Sequence, residues 1–310
     1  MKQPEINFLQ SPAWARFQGA LGREVIQKDD GDLRYLAIEE HGRLGSRLYC
    51  PAGPMVENKA ALRTILKELT EEAKHRKLDF IRIEPRGGIT EKDLEKLGLR
   101  RSHHDVQPAD TVISDVSGSE EEIRAALSQT ARRYARKADN AGVTYSLSHG
   151  PVDIHYFIEL IHDVAQRTGM KPMSDQYFLT IADSLFPTRD GGLLFAELDG
   201  KKIAAVIFYT DGTTMCYAHA ANHHEYRNIS PAYGLGLYAL LFAHEQGCKY
   251  FDWYGVAPEG APDNHRWAGF TQFKLSFGGQ RVSYSGTWEL PVNKMRYRLY
   301  KTALKVGRKS

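Results

Sequence analysis

Two acids stand at the ends of apolar segments: Glu84 follows Phe80-Ile81-Arg82-Ile83 and precedes Pro85, and Asp252 follows Tyr250-Phe251. A carboxylate at a strand end lies beside a cleft rather than within a sheet, where it either takes a proton from an amine or hydrogen-bonds a neighbouring loop. Lys274 sits in an apolar segment at 271–277 that reads as a strand; such a lysine either points to solvent or offers an ammonium to developing negative charge. Tyr177, Tyr217 and Tyr254 could present hydroxyls and ring faces to a peptide or sugar, although strand aromatics are often core. Arg132, Arg133 and Arg136 cluster at helical spacing with Lys137 beside them, a stripe suited to phosphates or to a solvated helix surface.

Other chemistries find less support. No G-x-S-x-G elbow is present, and Cys50, Cys216 and Cys248 are odd in number, far apart and without C-x-x-C spacing, which argues for reduced thiols rather than disulfides or zinc. His103-His104 and His223-His224 are adjacent pairs lacking the i, i+4 spacing that places two imidazoles on one helix face. No metal site and no cofactor are expected.

The 310 residues, 42% hydrophobic and 25% charged, have globular composition and length for two ordinary domains. The opening segment carries an acid and no long apolar run, so no secretory signal is expected, and no stretch is long enough to span a bilayer. A cytoplasmic location follows. The net charge of +3 identifies no partner by itself, but residues 291–310 hold Lys294, Arg296, Arg298, Lys301, Lys305, Arg308 and Lys309 with no acid. Such a tail suits RNA, nucleotide or an anionic membrane surface, or is a solvated terminal helix.

These residues need elements to hold them. Strands are predicted at 33–39 and 46–50, a helix at 59–77, a strand ending at Pro85, a helix from Thr90 and a strand at 112–116. A single helix over 120–141 is expected to open at a Ser119/Glu122 capping box and end at Gly142. Helices at 154–168 and 174–185 then lead into a meander, 193–198, 203–209 and 214–220, turned at Asp199-Gly200 and Asp211-Gly212. A helix at 233–246, opened near Gly234-Leu235-Gly236, precedes a strand at 250–254. A meander, a helix and a further strand make a GNAT-like (acyl-CoA N-acyltransferase-like) half, and the first half has comparable parts. The fold class is therefore α+β: two GNAT-like halves with mixed sheets flanked by helices. Residues 1–146 form the first, with 291–310 packing back on it; residues 147–290 form the second, the joint lying near 146–151.

This layout resembles the FemABX family of non-ribosomal peptidyl transferases over nearly the whole chain. The resemblance rests on Gln10-Ser11-Pro12-Ala13-Trp14, Arg82-Ile83-Glu84-Pro85, the basic segment around Arg132–Lys137, Gln166-Arg167-Thr168-Gly169 with Tyr177-Phe178, Tyr217-Ala218, Tyr250-Phe251-Asp252 and Phe273-Lys274-Leu275-Ser276-Phe277-Gly278. It implies an aminoacyltransferase that moves an amino acid from aminoacyl-tRNA to the stem-peptide amine of a peptidoglycan precursor, lipid II or its UDP-linked form. It also implies a catalytic Lys274, Glu84 as an acid that contacts substrate, and substrate contacts from Trp14, Arg82, Tyr177, Tyr217 and Phe273; Asp252 as a second catalytic acid and Tyr254 as a substrate contact rest on their residue chemistry alone. Two basic family positions are unmatched: Gln18 stands in one, and Lys171 lies close to the other. No inserted pair of polar helices appears, so no coiled-coil arm is expected. The tRNA would meet Arg132, Arg133, Arg136 and Lys137; by its charge alone, the basic tail would touch the inner face of an anionic membrane. Two alternatives remain: an acyl-CoA-dependent GNAT N-acyltransferase using Gly234-Leu235-Gly236 as a phosphate turn, and a non-enzymatic RNA-binding module.

Overall fold

A computed structural model describes residues 7–30 and 33–306. The first six residues, and Arg308 and Lys309 of the basic tail, lie outside the described residues. In chain order the elements are α1 (Pro12–Ala20), β1 (Val25–Asp30), β2 (Leu33–Gly42), β3 (Gly45–Cys50), β4 (Met55–Val56), α2 (Lys59–His75), β5 (Phe80–Ile83), β6 (Arg86–Gly87), α3 (Glu91–Lys96) and β7 (Arg100–Arg101). There follow β8 (Asp110–Asp115), α4 (Glu120–Ala126), α5 (Gln129–Asn140), β9 (Thr144–Ser148), α6 (Ile154–Thr168), α7 (Asp175–Leu185), β10 (Gly191–Leu198), β11 (Lys201–Thr210) and β12 (Thr214–Asn222). The last are α8 (Pro231–Glu245), β13 (Tyr250–Gly255), α9 (Ala268–Leu275), β14 (Gln280–Ser283), β15 (Trp288–Pro291) and α10 (Lys294–Val306).

The chain forms two units, residues 1–109 with 283–310 and residues 110–282. The sequence-based boundary at 146 lay later. Residues 110–146 group with the second unit because β8 pairs with β13 and β9 pairs with β10, so the first half of the expected joint at 146–151 is the end of an edge strand.

In the first unit β1, β2 and β3 run antiparallel, α2 crosses over, and β5 returns parallel to β3. Helix α2 starts where the Asn58 side chain accepts from the Ala60 and Ala61 amides. It buries Leu62, Ile65, Leu66, Leu69 and Ala73, an i, i+3, i+4 stripe, against Leu48, Ile81 and Trp288. The sheet order β1-β2-β3-β5-β15-β7 places the late strand β15 inside it, and Tyr297 and Tyr300 of α10 pack on Phe80 at 5.5 and 4.8 Å between ring centroids.

The second unit repeats this plan. Strands β10, β11 and β12 form the expected meander, α8 crosses, and β13 lies parallel to β12 in a seven-stranded sheet. The first turn is a two-residue one, with Asp199 and Gly200 both at positive φ, the geometry that right-twisted hairpin strands favour. At the second, the Asp211 carboxylate accepts from the amides of Thr213 and Thr214. The fold is thus α+β with two GNAT-like halves of mixed sheet and flanking helix, and no coiled-coil arm occurs among the described residues.

Three local expectations are corrected. The helix drawn over 120–141 is two helices: the capping box at Ser119 and Glu122 forms, but Leu127 turns extended and Ser128 caps α5 through the Ala131 amide. Residues 271–275 are helical, with 276 and 277 in the turn that follows, rather than a strand, because α9 runs to Leu275. Gly234 and Gly236 lie inside α8, not in a turn before it. A Cβ on Gly234 would overlap the Tyr145 hydroxyl, and one on Gly236 would stand 2.6 Å from the Phe277 ring. These glycines let the helix approach its neighbours, which removes the phosphate turn of the acyl-CoA alternative.

Candidate active site

Helix α9 is held to the chain that follows β13. Thr271 Oγ1 accepts from the Ala257 amide at 2.8 Å and donates to the Trp267 carbonyl at 2.8 Å. Phe270, Phe273 and Lys274, at i, i+3 and i+4, consequently face one cavity of about 360 Å³. Strands β12 and β13 pair only from Thr214–Cys216 to Tyr250–Asp252, and the cavity runs along the continuing stretch of β12 at Tyr217, Ala220 and Ala221. Its walls are mostly apolar; Lys274, Arg266 and Asn222 bring polar groups to it. An apolar hollow with a few convergent polar groups is the usual form of a small-ligand site.

Lys274 Nζ donates to the Gly255 carbonyl at 2.7 Å. Burial lowers its pKa from the ordinary 10.5 to about 8, with Asp252 opposing part of the shift. At neutral pH the group is still mainly ammonium, yet close enough to titration to respond to mild alkali. Asp252 is buried on β13 and accepts from the Thr111 hydroxyl and, at 2.8 Å, from the Tyr254 amide. The Tyr217 ring lies 5.3 Å from Trp253, and burial pushes its hydroxyl well above the usual phenol range. Phe273 meets Tyr233 edge-on at 5.0 Å. Lys274, Asp252, Tyr217 and Phe273 thus share one neighbourhood, with Tyr254 two residues beyond Asp252 in the chain.

The remaining expected residues are not among those that line the cavity. Glu84 is buried in the first unit and accepts from Tyr49 Oη (2.8 Å), Ala52 N (2.9 Å), Gln107 N (2.8 Å) and Thr287 Oγ1 (2.7 Å). Four donors occupy the lone pairs of a carboxylate, so this one holds loops together. Arg82 is buried against Glu289 at 2.6 Å and also donates to Tyr300 Oη at 2.8 Å. Trp14 is core, 4.9 Å from Phe17, and Gln18 is buried with its Oε1 accepting from Arg23 at 2.7 Å. In the second unit Lys171 is exposed between α6 and α7, and Tyr177 lies on α7, edge-on to His219 at 6.1 Å. Arg132, Arg133, Arg136 and Lys137 are all exposed on α5 opposite buried Ala131, Ala135 and Ala138. All four line one shallow depression with Gln129 and Asn140, so Lys137 shares the face rather than flanking it. Among the described residues no group of His, Cys, Asp and Glu is arranged to hold a metal ion.

The FemAB family profile matches residues 194–305, a span containing β12, β13 and α9. The chain is 22% identical to the lipid II:glycine glycyltransferase of Staphylococcus haemolyticus, covering 99% of this chain and 95% of that protein. It is 26% identical to the aminoacyltransferase FemA of Staphylococcus epidermidis over 33% of this chain and 22% of that one. Its fold matches the crystal structure of FemX with a TM-score of 0.84 at 18% identity, covering 96% of this chain and 95% of that one. The chain is similar to the FemABX proteins in sequence and in fold. A more distant fold match is the C-terminal domain of a putative lysylphosphatidylglycerol synthetase from Agrobacterium fabrum, with a TM-score of 0.62 at 11% identity, covering 97% and 93% of the two chains.

Within this FemABX-like chain, sequence reasoning missed Arg266, Phe270 and Asn222 as cavity residues. The first two had a signal. With Phe273 and Lys274 they fall at helical spacing, i, i+4, i+7 and i+8, which the strand reading of 271–277 hid. Asn222 had none, because its place depends on where β12 stops pairing with β13.

Proposed function

We propose that the protein is an aminoacyltransferase that moves an amino acid from aminoacyl-tRNA to the stem-peptide amine of a peptidoglycan precursor. The neutral amine attacks the ester carbonyl, the tetrahedral oxyanion collapses, the C–O bond to the tRNA ribose breaks, and the amine's proton leaves as the released hydroxyl is protonated. No covalent enzyme intermediate, metal or cofactor is needed. The barrier is lowered by alignment and by charge placed where the oxyanion forms. Lys274 is assigned that charge, Tyr217 and Phe273 a part in holding the donor, and Asp252 a part in accepting the proton. The carrying observation is the desolvated Lys274 ammonium on the wall of an apolar cavity, in a chain that matches a named glycyltransferase end to end. The α5 bases are assigned to tRNA phosphates. On this reading the protein works in the cytoplasm, and a lipid-linked acceptor would bring it to the inner face of the membrane. No helix among the described residues is long and apolar enough to cross one.

The test is a single-turnover reaction with a mixed aminoacyl-tRNA pool, offering lipid II and the UDP-linked precursor separately and following the label. Transfer to either acceptor is expected. Acetyl-CoA in place of tRNA should give no product; transfer from it, with none from tRNA, would restore the acyl-CoA alternative. RNA binding without transfer from any donor would leave the RNA-binding module.

A further inference from the structure

Helix α10 has two unlike faces. Inward, Tyr297 and Tyr300 are buried against Phe80, and Leu304 packs partly beside them. Tyr297 Oη donates to Glu289 at 2.9 Å, which fixes the helix's rotation. Outward, Met295 and Leu299 stand one turn apart and are 71% and 65% exposed, with Thr302 continuing the strip. Lys294, Arg296, Arg298 and Lys305 are exposed around this strip, and the helix contains no acid. Arg296 reaches Asp79 at 3.4 Å while its side chain stays 61% exposed. Lys294, Arg298 and Lys305 have no carboxylate partner among the described residues.

We propose that the outward face of α10 is a docking surface for an anionic lipid bilayer. Met295 and Leu299 enter the boundary between headgroups and acyl chains, and the surrounding bases meet lipid phosphates. The surface therefore consists of residues other than Tyr297, Tyr300 and Leu304, which the first unit's own core engages. A bilayer fits better than RNA, because a phosphate backbone would take the bases but leave Met295 and Leu299 in water, whereas an interfacial helix uses both. The inward contacts already order the helix, so docking does not have to fold it first. The inference rests on α10 alone and does not require the transferase reading.

The experiment sediments the full-length protein with phosphatidylcholine vesicles with and without phosphatidylglycerol, at low and high salt. Binding to the anionic vesicles alone, weakened by salt, is expected. Arg298→Gln with Lys305→Gln should lower the partition coefficient roughly fivefold per base. Met295→Ser with Leu299→Ser should lower it with the charge intact, and both variants should keep the parent's thermal midpoint because the changes are on an exposed face. Failure of the parent to bind, unchanged binding in both double variants, or loss of tRNA affinity in place of vesicle binding would overturn the proposal. Transfer to the soluble UDP-linked acceptor and to detergent-dispersed lipid II is measured on the same preparations. Vesicle binding without transfer removes the transferase reading alone, and transfer without vesicle binding removes only this surface.

Discussion

Lys274 joins a half-buried position to a pKa near 8, and both properties bear on its role. An oxyanion-stabilising ammonium acts most strongly in the transition state, so Lys274→Met should lower the single-turnover rate about 10²–10³-fold with little change in substrate affinity. Lys274→Arg, which keeps the charge with other geometry, should retain part of the rate. Activity that depends on the ammonium is lost as pH rises through about 8. The parent's pH–rate profile should therefore fall on that side, and in the Arg variant the fall should recede to higher pH. A folded Met variant with near-parental rate would show that Lys274 plays no catalytic part.

Glu84 poses a different question at the same scale. Its four donors predict that Glu84→Gln, which turns an acceptor pair into an acceptor and a donor, lowers stability by about 1–3 kcal/mol. Thermal unfolding of the variant checks this. An unchanged midpoint with a large loss of rate would instead support a proton-accepting role.

Among the elements, α5 makes the most direct claim about a partner. Its inner alanines bury against the core and leave the bases on one exposed face. If that face meets tRNA phosphates, affinity should fall linearly in a plot of log K against log salt, each phosphate contact adding a slope of about 0.7–0.9. Arg132→Ala with Arg136→Ala should flatten the slope by up to about 2 and leave the folding midpoint unchanged. An unaltered salt slope in the double variant would remove α5 from the tRNA path. Arg132 also donates to the Ala125 carbonyl at 3.0 Å, so the Arg136 single variant is the cleaner control.

At the level of the whole molecule, the first unit is completed by the end of the chain. Strand β15 lies between β5 and β7 and carries Glu289, fully buried, which accepts from Arg82, Tyr300, Tyr297 and Lys301. Burial raises the pKa of this carboxyl, but Arg82, Lys301 and the Tyr297 hydroxyl outweigh it and hold the group below its ordinary 4.5. A depressed carboxylate contributes stability above its unfolded-state pKa and loses it as pH falls through the folded value. Melting temperature should therefore drop as pH is lowered from 5 towards 3, to which other buried carboxylates also contribute. Glu289→Gln strands a buried guanidinium, should cost about 3–5 kcal/mol at neutral pH, and should flatten the acid-side decline. An equal decline in parent and variant would show that the pair is not the acid-sensitive element.

Patterns confined to a few neighbouring residues were legible in the sequence: the Asp199-Gly200 and Asp211-Gly212 turns, the α2 stripe, the Ser119 capping box and the GNAT-like order of elements are set by local backbone preference and side-chain period. The polar strand β1 (Val25–Asp30) gave no such signal and is recruited by pairing with β2. Short apolar segments were ambiguous. Phe273-Lys274-Leu275-Ser276-Phe277 satisfies either period, and it closes α9 and its following turn rather than a strand because Thr271 clips α9 to Ala257 and Lys274 reaches Gly255. The chemical type of Lys274, Asp252 and Glu84 was readable, but their environments were not. Desolvation of one ammonium, four donors around one carboxylate and the buried pair of Arg82 and Glu289, 207 residues apart, arise from long-range packing. Residue order alone carries no measure of that packing, because burial and partner count are properties of the closed fold.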